Sequence, residues 1–348
     1  MNEKLAITIQ SGATIEAQAP IIISASRSTD IPAFYAKWFI NRLKVGYCVW
    51  YNPFNQQPMY ISFKNIKVVV FWSKNPKPLI PYLKELDERG IHYYFQFTLN
   101  DYEKEGFEPN VPLLCERIET FKTLSNLIGK EKVIWRFDPL IVTSQLSPRD
   151  LLKKVWDIGN QIKSYTDKLV FSFIDINVYR KVQLNLLKET NFFPKENIEN
   201  SEFTKEQITE IAEGLVKIRE RWKSEGWIIS LATCAEQIDL EQYGIEHNRC
   251  IDSELMKQIF PNDIDLQYYL SFGKLPQKNA LFIDEIPTKQ VNLKDKGQRK
   301  ACGCMISKDI GMYNTCSHHC VYCYANTSKE IVKNNMSLHS DNSESILK

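Results

Sequence analysis

The stretch VVVFWSKNP, residues 68–76, joins a wholly apolar run to an abrupt polar ending. A strand that is apolar at every position is buried on both faces, which is typical of a parallel sheet covered by helices. The spacing of Leu79, Leu83 and Leu86 predicts a helix after it, with these side chains on one face. Residues 68–86 are therefore predicted to form a unit of a buried strand, a polar turn and a helix.

The same unit recurs along most of the chain. A capping box at Thr204 and the serine–proline pair at 147–148 predict two helix starts, and another helix is predicted from about Pro32 to Leu43. Six or seven such units favour an α/β fold of the TIM-like (β/α) barrel type over an open sheet. The predicted strands are residues 21–26, 47–50, 68–72, 93–98, 133–135, 169–173 and 228–231.

Polar side chains gather directly after these predicted strands. In a barrel the strand ends meet at one rim, which is where the active site lies. Helix capping explains Asp30, Asn75 and Asp101 equally well. It explains Arg136 poorly, because an arginine after a buried strand needs an anionic partner such as Asp138. The rim residues are Arg27, Asp30, Asn52, Lys74, Asn100, Asp101, Arg136, Asp138, Asp175 and Glu236.

Composition excludes several classes of protein. The 348 residues are 43% hydrophobic and carry a net charge of +2, which gives no electrostatic reason for bulk nucleic-acid binding. No apolar run approaches a membrane span, and the first residues lack the apolar core of a signal peptide, so we expect a cytoplasmic protein. We expect an N-terminal arm (1–20), a barrel (21–300), and a cysteine-rich segment with a tail (301–348) packed on the barrel.

The stretch CSHHCVYC, residues 316–323, is the strongest candidate for chemistry. Three thiolates at one point repel each other unless a metal neutralises them, and clustered cysteines in a reducing compartment indicate metal binding or catalysis. The x3–x2 spacing suits a cubane cluster in which three cysteines hold three irons and the fourth iron stays open. A zinc loop that also uses Cys302 and Cys304, with His318 or His319 in reserve, is the alternative.

The other cysteines leave several possibilities open. Cys302 and Cys304 could bind an auxiliary metal with Cys234 and Cys250, supply a fourth ligand to the main cluster, or form a redox pair. The remaining two, Cys48 and Cys115, fall in strand and helix patterns and are predicted to be core residues.

The cysteine motif resembles that of the radical S-adenosylmethionine (radical SAM) enzymes. An aromatic residue, Tyr322, stands just before the last cysteine, and residues 314–325 are similar to spore photoproduct lyase-like members. Nearly the whole chain also resembles an uncharacterised bacterial domain-of-unknown-function family that has radical-SAM-like cysteines at its C-terminus. That second resemblance is carried by residues 24–32, 71–76, 135–139 and 302–304.

The resemblance implies a specific chemistry. Cys316, Cys320 and Cys323 would bind a [4Fe–4S] cluster whose open iron chelates S-adenosylmethionine. One electron, from a donor such as flavodoxin or ferredoxin, would then give a 5′-deoxyadenosyl radical that attacks a small-molecule substrate, a nucleobase or a nucleotide. The rim would supply catalytic Arg136 and Asp138. The expected cofactor-binding residues are Arg27, Asp30, Lys74, Asp175, Glu236 and Tyr322.

Two features depart from the radical SAM pattern. The cluster loop of that family follows the first barrel strand, whereas here it comes last, so residues 309–314 are predicted to be that strand, displaced by circular permutation. The family's glycine-rich SAM-binding motif is missing, and Arg136 and Asp138 are expected to replace it. The alternatives are a barrel protein with a structural zinc or iron–sulfur loop, or a cluster-based redox or electron-transfer protein.

Overall fold

The computed structural model describes residues 3–276 and 291–347 as a mixed α/β fold. The strands in these ranges are β1 (Glu3–Thr8), β2 (Thr14–Ala19), β3 (Ile22–Ala25), β4 (Tyr47–Tyr51), β5 (Pro58–Ser62), β6 (Val68–Ser73), β7 (His92–Thr98), β8 (Val133–Leu140), β9 (Lys168–Phe173), β10 (Ser230–Thr233), β11 (Ile245–His247) and β12 (Lys308–Asp309). The helices are α1 (Ile31–Phe34), α2 (Ala36–Val45), α3 (Leu83–Glu88), α4 (Leu114–Ile128), α5 (Pro148–Gln161), α6 (Arg180–Glu189), α7 (Lys205–Ser224), α8 (Ser253–Ile259), α9 (Ile264–Phe272) and α10 (Lys329–Ser337).

Eight parallel strands form the main sheet, in the order β11-β10-β9-β8-β7-β6-β3-β12. The segment predicted to return from the C-terminal region does join this sheet, because Lys308 pairs with Ile23 and Asp309 with Ser24. The paired strand is shorter and earlier than the predicted 309–314. Its continuation turns away after Asp309, where the Gly311 N–H donates to the Asp309 carboxylate at 2.8 Å.

Both faces of the main sheet are buried, as its continuous apolar strands require. Alternation along β6 sends Val69 and Phe71 to the face covered by α2 to α7, where most of the core lies. The opposite face carries Val68 and Val70 and packs against α8, α9 and the residues around Cys250. At the rim, this second face carries polar side chains such as Gln96 and Arg136.

A second sheet corrects part of the prediction. The strand expected at 47–50 as the second barrel strand is β4, which pairs antiparallel with β5 in a four-stranded sheet ordered β1-β2-β5-β4. The N-terminal arm forms a β1–β2 hairpin in the same sheet. The helix expected from Pro32 to Leu43 is two helices, which are separated at Tyr35. Strand β11 was not predicted from the sequence.

Other local predictions are confirmed. Ser147 and Thr204 both form capping boxes, at the starts of α5 and α7. The tail docks through Ile346, which is 1% exposed, although Lys348 lies outside the described residues. Among the described residues, no helix has the length and apolar character that a bilayer crossing requires.

Candidate functional site

The cysteine loop, residues 310–325, is anchored to the end of β3 through Asp309. The Asp309 carboxylate accepts hydrogen bonds from the hydroxyls of Ser24 and Ser26, both at 2.9 Å, and from the Arg27 N–H at 2.9 Å. On the far side, the Trp50 indole donates to the Gly311 carbonyl at 3.0 Å. The loop therefore leaves β12 directly over the C-terminal ends of the parallel strands.

Gly311 is required by this close approach, and we predict that Gly311→Ala destabilises the protein. A Cβ atom there would lie 1.8 Å from the Ser26 hydroxyl, and Ser26 is itself buried and has no free space to enter. The expected cost is about 1–3 kcal/mol of unfolding free energy, measured by urea denaturation. The exposed Gly297→Ala is the matched control, and equal effects of the two changes would contradict the packing seen at Gly311.

Asp30 and His318 form a second anchor between the rim and the cysteine loop. Asp30 caps α1 by accepting from the Ala33 N–H at 3.0 Å, as helix capping predicts. It also accepts from the Ser73 hydroxyl at 2.7 Å and from the Lys74 N–H at 2.8 Å, and it meets His318 Nε2 at 2.8 Å. Since both carboxylate oxygens are occupied, Asp30 holds the loop in place through its contact with His318.

A buried carboxylate, Glu108, organises the third anchor. It accepts from Lys74 Nζ at 2.7 Å, from Asn100 Nδ2 at 2.9 Å and from the Tyr322 hydroxyl. Burial acts to raise the pKa of Glu108, but the positive charges of Lys74 and Arg117 and the hydrogen bonds outweigh it and hold the pKa at about 2. The residue before the last cysteine is thereby fixed to the ends of β6 and β7.

The three thiols of the loop are partly buried and lie close enough to influence each other. Desolvation raises the pKa of Cys320 to about 12, although the nearby Lys74 ammonium opposes this. The thiol pKa values of Cys316 and Cys323 are also raised, mainly by desolvation. The Ala325 N–H donates to the Cys323 sulfur at 3.3 Å. Without a bound cation these groups stay protonated, so metal binding would release their protons.

Four other cysteines lie on the second face of the main sheet. We call them the inner cysteine group: Cys234, Cys250, Cys302 and Cys304. The sulfurs of Cys234 and Cys250 lie 3.5 Å apart. The Ile251 N–H, next to Cys250, donates to the Cys304 sulfur at 3.5 Å, and interaction with the Cys304 thiol lowers the pKa of Cys302 to about 7. Cys302 and Cys304 thus belong with Cys234 and Cys250, one of the arrangements that the sequence left open.

Arg136 points into this group and is fully engaged there. Its guanidinium pairs with Asp138, donates to Gln96 Oε1 at 3.1 Å and donates to the Cys250 sulfur at 3.0 Å. Burial disfavours the charge, but Asp138 and the two thiols Cys234 and Cys250 outweigh it and raise the pKa of Arg136. The expected partnership with Asp138 is present.

Arg27 lies on the other side of the inner cysteine group. It stacks over Trp72 with its guanidinium carbon 5.0 Å from the ring centre, and its positive charge interacts with Cys304 and Cys250. Its Nη2 atom is buried and has no hydrogen-bond partner among the described residues. Two cations therefore flank the inner thiols.

Asp175 and Glu236 line a cavity at the same rim, between the ends of β9 and β10. The cavity has a volume of about 600 Å³ and is walled by Phe173, Phe203 and Arg299 as well. Arg299 donates to Asp175 at 2.6 Å and to the Tyr179 hydroxyl at 2.6 Å. Burial raises the pKa of Glu236 to about 8, so its carboxyl is largely protonated at neutral pH. Tyr179 stacks on Tyr324, one residue after Cys323, which brings the cavity beside the cysteine loop.

Sequence reasoning missed several residues of this region. Glu108 lies in a polar loop that also holds Asp101, Glu103 and Glu105, so nothing in the sequence marks it as the buried member. The expectation for Cys115 was wrong, because this residue is exposed on α4, whereas Cys48 is buried as predicted.

Residues 22–325 match the family described as "Domain of unknown function (DUF1848)". The chain belongs to this family. The match covers the main sheet and the cysteine loop together, so both are parts of the family's domain. No curated protein matches the chain.

The distances between possible ligand atoms show which groups of side chains are already close enough together to hold a single metal ion. Among the described residues, one trio of cysteine, histidine or acidic side chains has its ligand atoms all within 4.8 Å of one another, and this is the exposed set Asp239, Glu241 and His247. Neither the loop cysteines nor any three of the inner group meet that spacing. A second cavity, of about 430 Å³ at His92 and Phe260, lies where the strands begin, away from the cysteine loop.

Proposed function

We propose that this protein is a radical SAM-type enzyme on a circularly permuted (β/α) barrel. Cys316, Cys320 and Cys323 would hold a [4Fe–4S] cluster, which when bound supplies the reductive cleavage of S-adenosylmethionine that starts radical chemistry. The observation that carries the proposal is the position of three partly buried thiols over the C-terminal strand ends of a parallel sheet.

The spacing of the loop thiols suits a cluster better than a single zinc ion. Tetrahedral zinc with Zn–S bonds of about 2.3 Å places its sulfurs about 3.8 Å apart. The three loop sulfurs are not all within 4.8 Å of one another. A cubane interposes iron and sulfide between its cysteines, so it needs the wider arrangement. Lys74, beside Cys320, supplies a positive charge toward the thiolates.

The strand order supports the permutation. Strand β12 lies beside β3, and the cysteine loop follows β12 directly. In the radical SAM enzymes that the motif resembles, the cluster loop follows the first barrel strand. Moving residues 308–325 in front of β3 would restore that order without changing a single strand pairing.

The rim cavity is the best place for a small-molecule ligand. Its volume falls within the range of about 300–1,000 Å³ that is usual for such sites. Phe173 and Phe203 offer apolar contacts, and Asp175, Glu236 and Arg299 offer polar ones. Aromatic and charged groups together suit a nucleoside or nucleotide. Arg136 faces the inner thiols, so its role is to hold Asp138 and the sheet interior in place.

The test is SAM cleavage by the full chain under anaerobic conditions. After reconstitution with iron and sulfide, dithionite and SAM should yield 5′-deoxyadenosine, and Cys320→Ala should abolish this product and lower the bound iron. Cys115→Ala is the matched control, because Cys115 is exposed on α4 and lies in neither cysteine group. Both variants should keep the circular dichroism spectrum of the parent.

Two outcomes would overturn the proposal. Zinc that leaves on Cys320→Ala, with no uptake of iron and sulfide, would identify the loop as a structural zinc site. A cluster that forms and is reduced but never cleaves SAM would identify an electron-transfer or redox protein.

A further inference from the structure

The inner cysteine group unites residues that are far apart in sequence. Cys234 follows β10 directly, Cys250 follows β11, and Cys302 and Cys304 precede β12. The sulfurs of Cys234 and Cys250 lie 3.5 Å apart, the Ile251 N–H next to Cys250 donates to the Cys304 sulfur at 3.5 Å, and Cys302 lies two residues before Cys304. Four thiols from three segments thus meet at one buried place.

Guanidinium and amide groups face these thiols. Arg136 donates to the Cys250 sulfur at 3.0 Å, and the Arg27 guanidinium interacts electrostatically with Cys304 and has one buried nitrogen without a hydrogen-bond partner among the described residues. Asn248 Nδ2 also donates to Cys250, at 3.4 Å. Four thiolates around one divalent cation carry a net double negative charge, which the two guanidinium groups offset.

The group lies where the main sheet has its two edges. Within the described ranges, β11 and β12 each have only one neighbour in the sheet. The segments beside these edges already touch, because the Met305 N–H donates to the Ile251 carbonyl at 3.1 Å. A ligand shared by Cys250 and Cys304 would join the two edges.

We propose that Cys234, Cys250, Cys302 and Cys304 form a four-thiolate site for one thiophilic divalent metal ion, of which zinc is the type. The bound ion would cross-link the segment that follows β11 to the segment that precedes β12, and so join the two edges of the sheet. It is separate from the cysteine loop and does not depend on the proposed radical SAM activity.

Sulfur spacing favours one ion over a cubane cluster at this place. A zinc ion needs its sulfurs about 3.8 Å apart, and the Cys234–Cys250 separation of 3.5 Å is close to that value. A cubane keeps its cysteine sulfurs farther apart than the Cys234 and Cys250 sulfurs are. No three of the four sulfurs are all within 4.8 Å of one another, so ion binding requires Cys302 and Cys304 to move toward the Cys234–Cys250 pair.

The experiment measures metal content in a chain whose loop cysteines have been removed. In the triple variant Cys316→Ala, Cys320→Ala and Cys323→Ala, purified with added zinc, we expect about one zinc per chain. Adding Cys302→Ser should remove this zinc. Cys302 is only half-buried, so its loss disturbs packing less than the loss of the buried Cys250 or Cys304 would. The added control is Cys115→Ser, which should leave the zinc in place.

A second measurement tests the site in the triple variant alone, in case the added Cys302→Ser substitution prevents folding. Cobalt(II) added to the triple variant should give the intense visible bands of a tetrahedral thiolate complex, and excess zinc should abolish them. Zinc binding should also raise the thermal midpoint of the triple variant, because the ion joins two edges of the sheet.

Three results would overturn the proposal. Iron with an equal amount of sulfide in the triple variant, lost on Cys302→Ser, would identify a cluster instead of a single ion. A chain without metal whose denatured form shows fewer free thiols than its sequence contains would identify disulfides. Metal-free protein with all its thiols free would leave the group as core packing.

Discussion

Glu108→Gln should lower the free energy of unfolding by about 3–5 kcal/mol, the loss expected when one partner of a buried ion pair is removed. The side chain of Glu108 is 3% exposed and receives hydrogen bonds from Lys74, Asn100 and Tyr322. Glutamine would leave the Lys74 ammonium buried without a counter-charge and would turn an amide N–H₂ toward other donors. Chemical denaturation at neutral pH gives the measurement.

The same substitution should change the response to acid. A carboxyl whose pKa falls from 4.5 to about 2 on folding stabilises the protein above the unfolded pKa. That contribution, about 3 kcal/mol, is lost as the pH falls through the interval between these values. The difference between Glu108→Gln and the parent should therefore shrink as the pH is lowered from about 4.5. Glu119→Gln, whose side chain is 71% exposed, is the control, and a pH-independent difference would show that Glu108 is not the ionised partner.

Arg136→Met should lower the free energy of unfolding by about 3 kcal/mol. Methionine retains the apolar stem but removes the pairing with Asp138 and the donors to Gln96 and Cys250. The loss stays below that for a fully enclosed pair because the Asp138 side chain is 22% exposed and keeps some contact with water. Urea denaturation gives the value.

Two further variants serve as comparisons for Arg136→Met. Arg136→Lys keeps the charge but cannot donate to Asp138 and Cys250 together, so its effect should be smaller but not zero. Arg149→Met, at a side chain that is 89% exposed, should have an effect within about 0.5 kcal/mol. If zinc occupies the inner cysteine group, Arg136→Met should also weaken zinc binding about 10–100-fold, as the loss of an outer-shell partner does. Equal stability of Arg136→Met and the parent would show that the buried guanidinium is not needed.

Strands with continuous apolar sequence could be predicted to within one or two residues. Strands β6, β7 and β9 are examples, since burial on both faces leaves the same mark along the whole strand. Strand β4 carries a similar mark because its first three residues are buried within the small sheet, and its sequence does not show which sheet it joins. Strands β11 and β12 have three and two residues, mostly polar or exposed, and their pairing exists only in the folded chain.

The candidate sites also differ in whether a local sequence pattern reveals them. Local spacing revealed Cys316, Cys320 and Cys323 because all three lie on one loop. The meeting of Cys234 and Cys250 with Cys304 depends on strand order, which no local pattern encodes. Glu108 became visible only once burial distinguished it from its acidic neighbours.

The pairing of β3 with β12 also sets the timing of folding in the cell. Ser24 and Asp309, which hydrogen-bond to each other, are 285 residues apart. At a synthesis rate of about 5–20 residues per second, β3 waits roughly 15–60 s on the ribosome before its last neighbour exists. An apolar strand with an unpaired edge invites pairing with other chains, so the nascent protein should depend on ribosome-associated chaperones. The strand that begins the sheet in sequence is thus among the last to have its edge covered.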